Sequence, residues 1–124
     1  MSQQQPQQDE APFVARTLGS GTRKEAADAN EVLAFYRRQS RTAGEDVEWT
    51  FADHPAVTAA PDEGDLATVV RELDAHFENG VPIGIIAAAL SKQGDTIGDT
   101  MDAIHDLRMT GGLWEPRDDH LRAF

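Results

Sequence analysis

The apolar run from Ile83 to Leu90 constrains the fold of this chain more than any other stretch. It reads IGIIAAAL, so a helix built from it carries apolar residues or glycine on every side. A helix that is apolar all round belongs in the centre of a domain. The run therefore predicts a buried helix from about Ile83 to Lys92, with small alanine side chains that let neighbouring helices approach closely.

Two amphipathic segments flank this central helix. Asp65 is a good N-cap for a helix that ends before Gly80. Thr96 and Asp99 have the spacing of a capping box for a further helix, which ends near Thr110. Apolar residues recur at helical spacing in both segments, at Leu66, Val69, Val70, Leu73 and Phe77 and at Ile97, Met101, Ile104 and Leu107.

Residues 113–124 indicate a hairpin. Leu113–Pro116 and His120–Phe124 have the composition of two strands, and Arg117-Asp118-Asp119 is a polar turn between them. Three helices followed by a hairpin are typical of a winged helix-turn-helix domain, in which the hairpin is the wing. We therefore expect a winged-helix domain over residues 61–124.

The first half of the chain predicts less structure. Residues 1–21 begin with a Gln/Pro-rich stretch and are expected to form a disordered tail. Thr22 and Glu25 have capping-box spacing, which predicts a helix from about Arg23 to Ala43.

Residues 47–51 alternate apolar and polar side chains like a half-buried strand, and residues 52–64 are interpreted as a linker. Residues 22–60 are thus expected to contain a helix, a short strand and a linker. The predicted fold class is mainly α with a small β-hairpin, a winged helix-turn-helix preceded by an N-terminal helix and a short strand.

The charge is strongly acidic, with a formal net charge of −11. Only Lys24 and Lys92 are lysines, and aspartate is abundant, a composition that resembles proteins of extreme halophiles. In molar salt the Debye length is roughly 3 Å, so an acidic surface does not by itself indicate a basic partner. A solvated acidic face is the expected role of most carboxylates.

One basic region stands out, where Arg37, Arg38 and Arg41 close the predicted N-terminal helix. They are interpreted either as a surface for phosphates or an acidic partner, or as cations that complement the helix dipole.

Trp49 has two interpretations as well, a base-stacking role or a packing role on the strand.

No feature of the sequence predicts catalysis. Cysteine is absent, which excludes disulfides and thiolate metal sites and fits a cytoplasmic location. The histidines lack the paired spacing of a zinc site, and no nucleophile motif or carboxylate pair is recognisable. Neither a signal region nor a membrane-spanning run is found. We expect a non-enzymatic protein without metal or cofactor.

Residues 65–124 resemble the winged-helix domain at the carboxyl end of archaeal minichromosome maintenance replicative helicases of the halophilic branch. The likeness is carried by Phe77-Glu78-Asn79-Gly80, by a Val-Pro-Ile start to the central helix, and by Leu107-Arg108 at the end of the third. Its strongest part is residues 112–122, a Gly-x-aromatic-Glu-Pro-Arg-x-Asp-His-Leu-Arg pattern. No phosphate-binding Gly-x-x-x-x-Gly-Lys-Ser/Thr loop is present, so helicase catalysis is not implied.

The third helix carries Asp99, Asp102 and Asp106 on one face, which would meet phosphates unfavourably in a DNA groove. The candidate nucleic-acid contacts are therefore the third-helix and wing residues Arg108, Arg117, His120 and Arg122, with Arg37, Arg38 and Arg41 as the alternative basic surface.

The resemblance implies a protein acting in DNA replication or transcription control by binding DNA or a DNA-bound partner, such as a replication or transcription factor. The alternative hypothesis is a protein-interaction adaptor without direct DNA contact, which uses the acidic third helix and the wing. In that hypothesis the N-terminal helix supplies homodimerisation or a second contact.

Overall fold

The computed structural model of this chain describes residues 13–52, 54–61 and 63–124. Within these ranges the chain forms five helices and six strands, a mixed α/β architecture rather than a mainly α one. In chain order they are β1 (Phe13–Thr17), β2 (Arg23–Ala26), α1 (Ala29–Ala43), β3 (Val47–Ala52), α2 (Pro55–Ala59), α3 (Leu66–Asp74), β4 (Val81–Pro82), α4 (Ile83–Ser91), α5 (Ile97–Met109), β5 (Leu113–Arg117) and β6 (His120–Ala123).

The N-terminal segment forms a three-stranded antiparallel sheet in the order β2-β1-β3. The strand predicted at residues 47–51 is confirmed as β3. The expectation of a disordered tail up to residue 21 is wrong from Phe13 onward, because β1 pairs with both neighbouring strands. Residues 1–12 of that predicted tail and the side chain of Trp49 lie outside what is described.

The predicted helix start at Arg23 is also wrong. Residues 23–26 pair with β1, with Val14 opposite Glu25 and Arg16 opposite Arg23. The helix begins instead at Ala29, where the Asp28 carboxylate accepts a hydrogen bond from the Asn30 N–H at 2.8 Å. Sheet pairing with β1 thus overrides the local capping pattern of residues 22–25.

The segment interpreted as a linker contains the helix α2. His54 caps its first turn, since its Nδ1 accepts a hydrogen bond from the Ala56 N–H at 3.1 Å. At the other end, Lys92 Nζ donates to the carbonyls of Val57 and Ala60, at 3.0 and 2.7 Å. Part of residues 52–64 is therefore ordered against the rest of the protein.

The C-terminal helices and hairpin are confirmed as α3, α4, α5, β5 and β6, but the predicted end of α3 near Asn79 is wrong. This helix ends at Asp74, because the N–H groups of His76 and Phe77 donate to the carbonyls three residues back and close tight turns there. The capping box of α5 is present in both directions, between Thr96 and Asp99. The short strand β4 precedes α4 and pairs with β6, which gives a second antiparallel sheet in the order β4-β6-β5. Residue Gly80, at a φ of 94°, lets the chain turn from α3 into β4.

Helix α4 lies at the centre of one core that both halves of the chain share, and residues 83–90 are all buried. Helices α1, α2, α3 and α5 pack around it. Gly84 is required where α4 meets α1, because a Cβ there would overlap the backbone of Ala29. Its N–H also donates to Asn30 Oδ1 at 2.9 Å.

Asp46 forms a second contact between the N-terminal and C-terminal halves of the chain. Its carboxylate accepts hydrogen bonds from the Thr96 hydroxyl at 2.7 Å and from the Gly98 N–H at 2.8 Å. These donors lie at the start of α5, where free N–H groups and the helix dipole favour a negative charge. The N-terminal segment thereby fixes the position of α5.

Candidate nucleic-acid interface

The turn of the hairpin between β5 and β6 is held by a charged network. Asp119 adopts a left-handed conformation with φ 60°, and its N–H donates to Glu115 Oε2 at 2.7 Å. Its carboxylate receives two hydrogen bonds from Arg37 of α1, at 3.0 and 3.2 Å. The structure therefore brings together the hairpin turn and the alternative basic surface, through two residues that lie 82 positions apart in sequence.

Glu115 extends this network to the end of α5. Its Oε1 lies 3.2 Å from Nη1 of Arg108. We call Arg37, Arg108, Glu115 and Asp119 the hairpin network. The hydrogen bond to Asp119 raises the pKa of Arg37 above its ordinary value, burial opposes this shift, and the charges of Asp119 and Glu115 add to it. Two of the predicted DNA-contacting arginines are thus engaged with carboxylates of the protein itself.

Arg122 is engaged in a similar way on β6. Its Nε lies 3.3 Å from Asp74 Oδ1 and 3.4 Å from Oδ2, at the end of α3. Arg71 of the same helix donates to the carbonyl of Phe124 at 3.1 Å. These contacts attach the last strand to α3 and leave the Arg122 side chain only 35% exposed.

The remaining predicted arginines are Arg38, Arg41 and Arg117, which we call the free arginines. All three are exposed, and within the described residues none has a carboxylate partner. The guanidinium of Arg38 lies 5.7 Å from the ring centre of Phe35, a contact that leaves its charge available. These residues are the strongest candidates for phosphate contact.

His120, the remaining predicted contact, is partly buried at the start of β6. Its Nδ1 donates to the carbonyl of Asp118 at 2.7 Å, within the hairpin turn. This hydrogen bond fixes the ring against the turn. The position of His120 is explained by the local structure of the hairpin.

The surface of α5 is acidic, as the sequence predicts. Asp102 and Asp106 are exposed, and Asp99 is exposed while it caps the helix. His105 lies between them and is exposed as well. With Arg108 paired to Glu115, the helix that would enter a DNA groove presents mainly carboxylates.

Three ionisable groups away from the hairpin have shifted pKa values, each for a structural reason. Burial lowers the pKa of His54, whose ring stacks between Phe13 and Phe77, and the charge of His76 lowers it further. Hydrogen bonds from Ser20 lower the pKa of Glu45, and the Thr68 N–H lowers that of the N-cap Asp65. These groups stabilise turns and helix ends. In the described part of the chain, no three His, Asp or Glu residues are grouped as metal ligands.

Sequence reasoning missed an exposed aromatic pair on the hairpin. The rings of Trp114 and Phe124 lie 6.2 Å apart, and the side chains are 41% and 74% exposed. Because successive residues of a strand point to opposite faces, Trp114 lies on the face opposite to that of Leu113, which is buried. That alternation was the available signal for an outward-facing Trp114.

Comparisons with known proteins give a match in the C-terminal part of the chain. Residues 71–121 match the family model described as HVO_B0008 C-terminal domain, a domain family of halophilic archaea. The match extends from within α3 to within β6 and so includes Arg108, Glu115 and Asp119 but not Arg37. No curated protein and no solved structure matches the chain.

The resemblance to the minichromosome maintenance helicases stays a prediction.

Among the helices of the described residues, none is long and apolar enough to cross a membrane.

Proposed function

We propose that this protein is a non-enzymatic winged-helix protein that acts in DNA replication or transcription control by holding a DNA-bound protein partner. The winged-helix assignment is supported by the order α3-β4-α4-α5-β5-β6 and by a sheet in which β4 pairs with the last strand. The role in DNA transactions is supported by the resemblance of residues 65–124.

The observation that carries the preference for a protein partner is the surface of α5. In helix-turn-helix proteins the second helix of the motif lies in the major groove. Here that helix exposes Asp102 and Asp106, and its arginine is paired with Glu115. Insertion would bring carboxylates toward phosphates with no free cation on the helix to offset them.

A second candidate function is contact with the DNA backbone through the free arginines. It is favoured by their exposure and by the absence of carboxylate partners within the described ranges. Neutralising about three phosphates gives a slope of log K on log salt of about −2.7, which costs about four decades between roughly 0.1 M and a few molar salt. Such a contact would assist a protein-mediated complex in low salt rather than hold one alone in concentrated salt.

The test is fluorescence anisotropy with labelled duplex and single-stranded DNA, using the full chain across a range of salt concentrations. We expect no tight binding, and any weak binding in low salt to weaken in R38A/R41A and to disappear in R38A/R41A/R117A. The double variant R23A/K24A is the control for net charge, because it removes two positive charges from β2, one of them paired with Glu25. R108Q is the variant that tests insertion of α5.

A protein-holding role predicts that R108Q binds DNA like the wild-type chain. Duplex binding that persists near molar salt and is lost in R108Q, with the fold retained, would contradict the proposal. DNA binding that is lost in R38A/R41A but retained in R108Q supports the second candidate, contact through the free arginines without insertion of α5.

A further inference from the structure

An open groove of about 400 Å³ lies between the start of α3 and the second half of α5. Leu66 and Ala67 line it from α3, and Ala103 and Leu107 line it from α5. All four are half-buried, and the two leucines pack against the main core. The groove therefore has an apolar floor that is continuous with the hydrophobic core.

Carboxylates line the same groove. Asp65 and Asp106 are both exposed there. The arginines on the two helices are directed elsewhere, because Arg71 binds the Phe124 carbonyl and Arg108 binds Glu115. No basic side chain of the described residues lines the groove. Asp65 accepts a hydrogen bond from the Thr68 N–H and is also stabilised by the charge of Arg71, so the groove keeps its negative charge mainly through Asp106.

We propose that this groove binds a helical segment of a partner protein, with apolar side chains inserted between Leu66 and Leu107 and lysine or arginine placed beside Asp65 and Asp106. The inference rests on the proposed protein-holding function and names the chemistry of the partner. Amphipathic helices commonly bind apolar grooves through side chains at i, i+3 and i+4.

The dimensions of the groove fit this mode of binding. Ala103 and Leu107 are one helical turn apart, a rise of about 6 Å, which matches the spacing of anchors at i and i+4. The apolar floor supplies affinity that salt does not screen, and the carboxylates select the charge of the flanking residues.

Neither a second copy of this chain nor a nucleic acid fits as well. A second copy that brought its arginine-bearing helix α1 to the groove would supply no apolar anchors, because Val32, Leu33 and Phe35 of that helix are buried in its own core. A nucleic acid would place phosphates beside Asp65 and Asp106, where they are repelled.

The experiment uses the ¹⁵N-labelled full chain and a synthetic amphipathic peptide of about 15 residues, with leucines at i and i+4 and flanking lysines. Binding is followed by chemical-shift changes and by anisotropy of the labelled peptide. Two control peptides carry glutamate in place of lysine or serine in place of leucine. We expect shifts centred on Leu66, Ala103 and Leu107, and binding at least about fivefold weaker for each control peptide.

Variants of the protein locate the site. A103L fills the groove and is expected to weaken binding by about tenfold, whereas A34L on the exposed face of α1 leaves it within about twofold. D106K is expected to weaken binding of the lysine peptide about fivefold in low salt. D102K, a matched charge reversal on α5 outside the groove lining, is expected to change it by less than about twofold.

Shifts that map elsewhere, no shifts with up to about 1 mM lysine peptide, or equal binding of the glutamate peptide would each overturn the inference. Because the assay contains no DNA, its failure is distinct from failure of the proposed function. The latter fails when α5 itself binds duplex DNA, whatever the peptide does.

Discussion

The two ends of helix α1 are attached to the C-terminal half of the protein in different ways. At its start, Ala29 is buried against Gly84, and Asn30 accepts a hydrogen bond from the backbone of α4. Nearer its end, Arg37 reaches the hairpin turn through an ion pair with Asp119 whose two side chains are 45% and 37% exposed. Beyond that pair the helix surface is open to solvent.

This difference separates structural roles from binding roles among the charged residues. Close packing at the start of α1 is not screened by salt, whereas an exposed ion pair is weak and is screened as salt rises. Arg37 is used to position the hairpin, so of the arginines of α1 Arg38 and Arg41 are left available to a ligand. A formal count of basic residues therefore overstates the charge that a partner meets.

The largest effect on the free energy of unfolding is expected from G84A, which lies where α4 packs against the start of α1. A Cβ at this position meets the Ala29 backbone, which cannot move without shifting α1. We expect a loss of about 3 kcal/mol in the free energy of unfolding, since overpacking outweighs the gain in helix propensity. Urea unfolding measures it, with S40A on the exposed face of α1 as the control. A loss no larger than that of S40A would contradict the close packing.

A smaller loss is expected from N30A at the same end. This change removes the acceptor of the Gly84 N–H, which lies in a part-buried position. An unsatisfied donor of this kind costs about 1–3 kcal/mol. The loss should be the same in low and molar salt, as judged from urea midpoints. A strong salt dependence would mean that packing does not dominate this end.

At the hairpin end, D119N is expected to cost at most about 1 kcal/mol, because the pair with Arg37 is exposed. Asparagine tolerates the left-handed conformation of residue 119, so the change tests the charge alone. The loss should shrink in molar salt. R38A, which breaks no ion pair, serves as the control and should leave stability unchanged within about 0.5 kcal/mol. Equal losses in D119N and R38A would remove the distinction between paired and free arginines.

The smallest effect is a pH dependence of the free energy of unfolding. It arises near the start of α1, where a cleft beside Ala29 is lined by His54, Phe13 and Phe77. Burial lowers the pKa of His54 in the folded protein, so the unfolded chain binds a proton first. The free energy of unfolding is therefore unaffected by His54 above the unfolded pKa of about 6.5. It decreases as the pH falls from there toward the folded pKa.

H54N keeps a side-chain oxygen that accepts the Ala56 N–H and removes the titration. We expect it to flatten the change in urea midpoint between about pH 7.5 and about pH 5, relative to the wild-type chain measured in the same buffers. An unchanged slope in H54N would show that His54 does not titrate differently on folding.

Local signals predicted the C-terminal elements well and the N-terminal ones poorly. The Thr96–Asp99 capping box and the apolar run of α4 lie within the elements that they specify. The Thr22–Glu25 pattern failed because strand pairing with β1 overrides it, and that pairing is not encoded in the four residues themselves. The candidate arginines were found from composition, but their partners depend on tertiary contacts such as Arg37 with Asp119.

The most direct test is NMR of the arginine side chains in the full chain, with hydrogen exchange and rotation about the Cζ–Nε bond measured in low salt. Paired guanidinium groups should rotate and exchange slowly, so we predict slow signals for Arg37, Arg108 and Arg122. Fast averaging is predicted for Arg38, Arg41 and Arg117. If all six behaved alike, the separation of structural from available arginines, and the proposal that α5 does not insert into DNA, would be contradicted.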